Sequence, residues 1–181
     1  MLLTVYASFS FYLIKKENEK IYLSEKYIQA KIYLENKNYN EATNILKEII
    51  FSNDSAYSAL ALFLILNENL IEDNNELSVL FDHLLLNNNF EKEIKNLLIY
   101  KKALLNSNFS NESSLLEEIK PLLNSETLWK PHALLLLGDY FLSRKEYSKA
   151  REFYLQILSI KELPEDLYNQ AKFQLPFISN D

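Results

Sequence analysis

The chain has no cysteine, one glycine, four prolines, one tryptophan and two histidines in 181 residues. Without cysteine there is no disulfide framework, thiolate metal site or thiol nucleophile. So few glycines and prolines leave little to punctuate strands and tight turns, and helices joined by short polar connections are expected instead. Positive charge is also scarce: 19 Lys and Arg against 25 Asp and Glu give a net charge of -6. No basic stripe is present to displace phosphate counterions, which argues against a nucleic-acid partner. His83 and His132 lie far apart in sequence, and no carboxylate shares an obvious helical face with both. One glycine and two histidines cannot assemble a phosphate-cradling loop, a Ser-His-Asp set or a dinucleotide fingerprint. Glu72-Asp73, Glu117-Glu118 and Glu165-Asp166 are adjacent carboxylates that point apart on a helix, whereas acid-base work needs two groups held across a pocket. No catalytic residue, metal, cofactor or small-molecule substrate is expected.

What is present is apolar and aromatic, with 48% hydrophobic residues, 12 Tyr and 11 Phe. That content supports a folded core. The first fourteen residues, MLLTVYASFSFYLI, carry no charge and end abruptly at Lys15-Lys16-Glu17. The run falls short of the roughly 20 apolar residues a membrane span needs. Leu2, Leu3, Val5, Tyr6, Phe9, Phe11, Tyr12, Leu13 and Ile14 would cover every face of a helix, and such a helix must be enclosed by lipid or by protein. Residues 1–20 are therefore read as a hydrophobic helix, the remnant of a membrane anchor completed upstream, and residues 21–181 as the body. The alternative is a soluble adaptor whose first helix is buried.

Beyond residue 20, Ile21, Ile28, Ile32 and Leu34 recur at helical spacing and are expected to pack inward. A polar turn, Glu35-Asn36-Lys37-Asn38, then leads into Tyr39-Asn40-Glu41-Ala42. The same arrangement returns later: Tyr33, Tyr39, Ala42, Leu46 and Ile49 stand at the relative offsets of Phe141, Tyr147, Ala150, Tyr154 and Ile157. Four helical stretches lie between, at about 55–66, 75–86, 91–106 and 112–123. The third pair keeps a turn aromatic in Phe109, and a last helix from Pro164 is expected to cap the stack with Phe173, Leu175 and Phe177. Leu134, Leu137, Gly138, Phe141, Ala150, Tyr154 and Pro164 follow the spacing of the tetratricopeptide motif. In that reading Gly138 and Ala150 are the small residues that let two antiparallel helices approach, and Tyr33, Tyr39, Ala42, Leu137, Phe141, Tyr147 and Tyr154 complete the packing set. The expected fold is all-α, a right-handed tetratricopeptide-like solenoid of about four antiparallel helix pairs. Trp129, outside the core positions of its repeat, is the candidate partner-binding residue, lying either against a preceding helix or along a groove.

The segment Thr127-Leu128-Trp129-Lys130-Pro131-His132-Ala133, followed by Leu136-Leu137-Gly138-Asp139, resembles the opening of the last repeat in the YfgM family, membrane-anchored ancillary subunits of the SecYEG translocon. Ala56-Tyr57-Ser58-Ala59-Leu60-Ala61 is similar to that family's segment after the first repeat. The chain departs from the pattern in its shorter apolar run and in Lys15-Lys16, which fall on the side the family would export. The resemblance implies a protein-protein interaction scaffold at the bacterial inner membrane with a periplasmic repeat domain. It implies translocon subunits, chaperones or client chains as partners.

Overall fold

In the computed structural model, which describes residues 2–178, the described residues form nine α-helices and no strand. The backbone divides into two compact units, Met1–Asn89 and Phe90–Asp181.

The first unit holds α1 (Leu2–Glu35), α2 (Tyr39–Phe51), α3 (Ser55–Asn67) and α4 (Asn74–Asn87). Each helix packs on its successor, and α1 also touches α3 as α2 touches α4. Contacts to the next helix and to the next but one are what stacked helical hairpins produce. The core is made by Leu23 and Ala30 of α1, Ala42, Leu46, Ile49 and Ile50 of α2, Leu62 and Ile65 of α3, and Phe81 and Leu84 of α4. Burying each of the larger side chains contributes about 1.5–3 kcal/mol. Corners are closed by polar side chains. The Asp54 carboxylate accepts from the backbone N–H groups of Ala56 and Tyr57 and so caps α3. The fully buried Ser58 hydroxyl lies 3.0 Å from the carbonyls of both Ile49 and Ile50, which satisfies the carbonyl end of α2.

The second unit holds α5 (Lys92–Asn106), α6 (Glu112–Leu123), α7 (Lys130–Ser143), α8 (Tyr147–Leu158) and α9 (Glu165–Gln174), closed by a 3₁₀ turn at Leu175–Phe177. The contact pattern repeats: α5 packs on α6, α6 on α7, α7 on α8 and α8 on α9, while α5 meets α7 and α7 meets α9. Lys102 and Glu118 form a 2.9 Å ion pair that ties α5 to α6. The Asn106 amide donates to both Glu118 carboxylate oxygens at 3.1 Å.

The repeated turn has a shared backbone form. After α1, Lys37 adopts φ 60° and the Asn38 N–H donates to the Tyr33 carbonyl at 2.8 Å. After α7, Lys145 adopts φ 60° and the Glu146 N–H donates to Phe141 at 2.9 Å. Asn69 and Leu70 close α3 the same way, onto Ile65. This is the left-handed C-cap with its reach-back hydrogen bond, built here without a single glycine.

Four expectations meet the structure here. The first concerns the span: no helix among the described residues is long and apolar enough to cross a membrane. Helix α1 continues without a break past residue 20, and the charges from Lys15 to Lys20 interrupt its apolar character. The start of this helix is not buried in the body, because Tyr6, Phe9, Phe11, Tyr12, Leu13 and Ile14 are exposed. The side chains of Leu2, Leu3 and Val5 lie outside the described residues. Second, Ile21, Ile28 and Ile32 face solvent, and α1 packs instead through Leu23 and Ala30, with Tyr27 against Tyr57. Third, Tyr39 is 52% exposed and Phe109 64%, so neither turn aromatic is enclosed. Fourth, Phe173 and Phe177 form an exposed ring pair at 5.3 Å, and the end of the second unit is sealed by Leu167, Ala171 and Ile178.

Candidate interaction surfaces

Helices α7 and α8 cross at the single glycine. A β-carbon added at Gly138 would stand 2.6 Å from Cε1 of Tyr154 and 2.9 Å from Cδ1 and Cζ. The space left by the missing side chain is therefore filled by the Tyr154 ring, not by Ala150 as the spacing suggested. Ala150 is fully buried one turn earlier on α8. Tyr154 is itself fully buried, and its hydroxyl donates to the Asp139 carboxylate at 2.6 Å. Burial first, then the Asp139 hydrogen bond and charge, hold the Tyr154 phenol protonated far above the usual tyrosine range. The rest of the set converges on this crossing: Leu137 and Phe141 are buried on α7, and Phe141 stacks on Phe153 at 5.5 Å. Tyr147 is half-buried at the start of α8, and in the first unit Tyr33 is half-buried and Ala42 fully buried.

Asp139 sits at the edge of a cleft of about 350 Å³ between α7 and α9, lined by Leu135, Asp139, Asn169, Gln170, Phe173 and Gln174. The protein mass around its carboxylate raises the Asp139 pKa above the ordinary aspartate value, and the Tyr154 hydrogen bond acts in the opposite direction. Burial, and then the Asp139 charge, raise Tyr100 on α5 as well. An anion, three side-chain amides and an exposed phenyl ring thus share one trough. The amides can pair with a peptide backbone, the ring can hold an apolar side chain, and the carboxylate can take a cation.

Trp129 stands at the residue just before α7, makes no capping hydrogen bond with its side chain, and packs back on α5. Its ring stacks on Tyr100 at 5.6 Å and lies 5.3 Å from His132. Its indole N–H donates to the Glu93 carbonyl at 3.1 Å. Thr127 donates to the Glu93 carboxylate and accepts from Asn96, fixing the segment ahead of α7. His132 falls in the first turn of α7, and its Nδ1 is buried without a hydrogen-bond partner among the described residues. His83, in the first unit, is half-buried, with Nε2 2.8 Å from Asn53 Oδ1 and its ring edge-on to Phe51 at 4.5 Å. No described group of three or more His, Asp or Glu side chains could hold a metal ion.

Sequence reasoning did not find the cleft. Asp139 follows the glycine directly, but its role depends on α9 lying alongside α7, which spacing within one hairpin cannot reveal. Neither family models, nor curated proteins, nor solved structures gave a significant match to this chain.

Proposed function

We propose that this chain is a tetratricopeptide-type scaffold that binds extended polypeptides, and that its second unit does so in the cleft between α7 and α9. The observation that carries the reading is Asp139, an anion held beside Asn169, Gln170 and Gln174 amides and the Phe173 ring. Stacked hairpins present their binding surface on the first helices of successive pairs, and α7 and α9 occupy those positions. The trough fits a peptide segment carrying Lys or Arg next to an apolar residue. By resemblance to the YfgM family, the partners are translocon subunits, periplasmic chaperones or client chains at the bacterial inner membrane.

The test is fluorescence anisotropy with labelled short peptides, with and without Lys or Arg, beside a carboxymethylated, permanently unfolded polypeptide. Basic peptides bind the unaltered chain, and Asp139→Asn weakens them about 10- to 100-fold, the worth of a charge-assisted contact of roughly 1.5–3 kcal/mol. Phe173→Ala, on a 66% exposed ring, weakens binding without loss of helix. Equal affinity of the Asp139→Asn variant for basic and neutral peptides, unchanged from the unaltered chain, would remove the basis of the proposal.

A further inference from the structure

Helix α1 carries a second apolar stripe, on the side away from its own fold. Phe11, Ile14, Ile21, Ile28 and Ile32 are each more than half exposed. Together with exposed Asn18, Glu25 and Glu35 they follow the alternating three- and four-residue spacing of a coiled-coil seam from residue 11 to residue 35. Phe11, Asn18, Glu25 and Ile32 occupy one core position of the heptad, and Ile14, Ile21, Ile28 and Glu35 the other. The residues α1 buries in its own unit, Leu23 and Ala30, fall at the position opposite this seam. The stripe spans 25 residues, about 37 Å at 1.5 Å per residue, and more than three heptads. That is enough repeats for the pattern to read as a coiled coil rather than as scattered surface residues.

We infer that α1 pairs antiparallel with α1 of a second copy of this chain. The charges choose both the occupant and the direction. In a parallel pair, Glu25 would meet Glu25 and Glu35 would meet Glu35 inside the seam, like charges facing across a dry contact. In the antiparallel register, Ile14 lies against Ile32 of the second copy, Asn18 against Ile28 and Ile21 against Glu25, so no carboxylate meets its equivalent. Glu17 and Lys31, both exposed and both flanking the seam, then face each other across the pair. The two-fold axis makes that ion pair twice. Tyr22 flanks the opposite side next to the axis, where it meets its own copy. Asn18, Glu25 and Glu35 interrupt the apolar core, Glu35 lying against Phe11 of the second copy, and polar residues at such positions fix register at a cost in affinity. The pair is accordingly a reversible dimer.

Sedimentation velocity over a concentration series tests it. The full chain moves from 21.3 kDa toward twice that mass as concentration rises. Ile21→Glu with Ile28→Glu abolishes the heavier species while helix content by circular dichroism is unchanged, because both side chains are more than half exposed. Glu17→Lys alone and Lys31→Glu alone each weaken the dimer about tenfold or more. An equimolar mixture of those two variants restores it. In the antiparallel register, position 17 of either chain then faces position 31 of the other with opposite charge at both ends of the pair. A parallel pair would not respond in this way. A chain that remains monomeric throughout would overturn the inference, as would a dimer indifferent to the charge exchange. A monomer that co-floats with phosphatidylcholine–phosphatidylglycerol vesicles, and loses this with Ile21→Glu, would overturn it too and assign the stripe to lipid instead.

Discussion

Replacing Gly138 by alanine isolates the contact on which the α7–α8 crossing is built. Two effects compete. Alanine is favoured over glycine in a helix interior by about 1 kcal/mol. Against that, the new β-carbon would stand 2.6 Å from Cε1 of Tyr154, well inside the 3.4 Å at which ordinary contact begins. Forcing an extra carbon into a packed site costs about 1–3 kcal/mol. The upper part of that range applies here, because the ring is fully buried and its hydroxyl is held 2.6 Å from Asp139. The ring cannot slide without breaking that hydrogen bond. The expected net loss is about 1–2 kcal/mol, and each kcal/mol lowers the melting temperature by about 4–8 °C in a unit of this size. Urea unfolding followed through Trp129, which lies in the same unit, measures the loss. Repeating the substitution in a Tyr154→Leu background should reverse its sign, leaving the helix preference of about 1 kcal/mol as a gain. A Gly138→Ala chain at least as stable as its parent, or a cycle with no coupling between positions 138 and 154, would refute the reasoning.

Other outcomes follow from the same geometry. Asp139 has a folded-state pKa above its unfolded value near 3.9, so the folded chain binds that proton more tightly. Its contribution is complete below about pH 4 and is lost as pH rises through the folded value; Asp139→Asn removes this part of a stability-versus-pH curve. Ser58→Ala strands the Ile50 carbonyl at a buried corner, while Ile49 keeps its hydrogen bonds from Ser52, and should cost about 1–3 kcal/mol by chemical denaturation. Lys145→Gly relieves a side chain held at φ 60°. It should raise stability by about 0.5–1 kcal/mol, the left-handed penalty less the entropy of glycine, visible as a higher denaturation midpoint.

Local rules made the hairpins readable. The offsets that relate Tyr33 to Phe141, and Ala42 to Ala150, reflect one turn whose hydrogen bonds span only five residues, and that turn recurs in the structure. Helix α6 begins at Glu112 and ends at Leu123 as its apolar spacing and its Asn111 cap require. Misreadings arose where two solutions share one period. Helix α1 has an apolar stripe on each side, and periodicity alone cannot tell which one meets α2. The small-residue rule found Gly138, but its occupant was missed. Side chains lean toward the N-terminus of their helix, so Tyr154, a turn beyond Ala150, reaches back over the gap. The cleft at Asp139 needed α7 and α9 brought together from separate parts of the second unit, and no single stretch of sequence carries that information.

The placement of the lone indole has a practical consequence for how the molecule comes apart. Trp129 is wedged against Tyr100 and His132 in the second unit, and the first unit has no tryptophan at all. Emission excited at the indole band therefore watches one half of the chain, while far-ultraviolet dichroism sums over both. Superimposable melting curves from the two signals would mean that the halves lose structure as one cooperative body. A displaced pair of curves would resolve two independent melting events, with the optical trace naming the half to which each belongs.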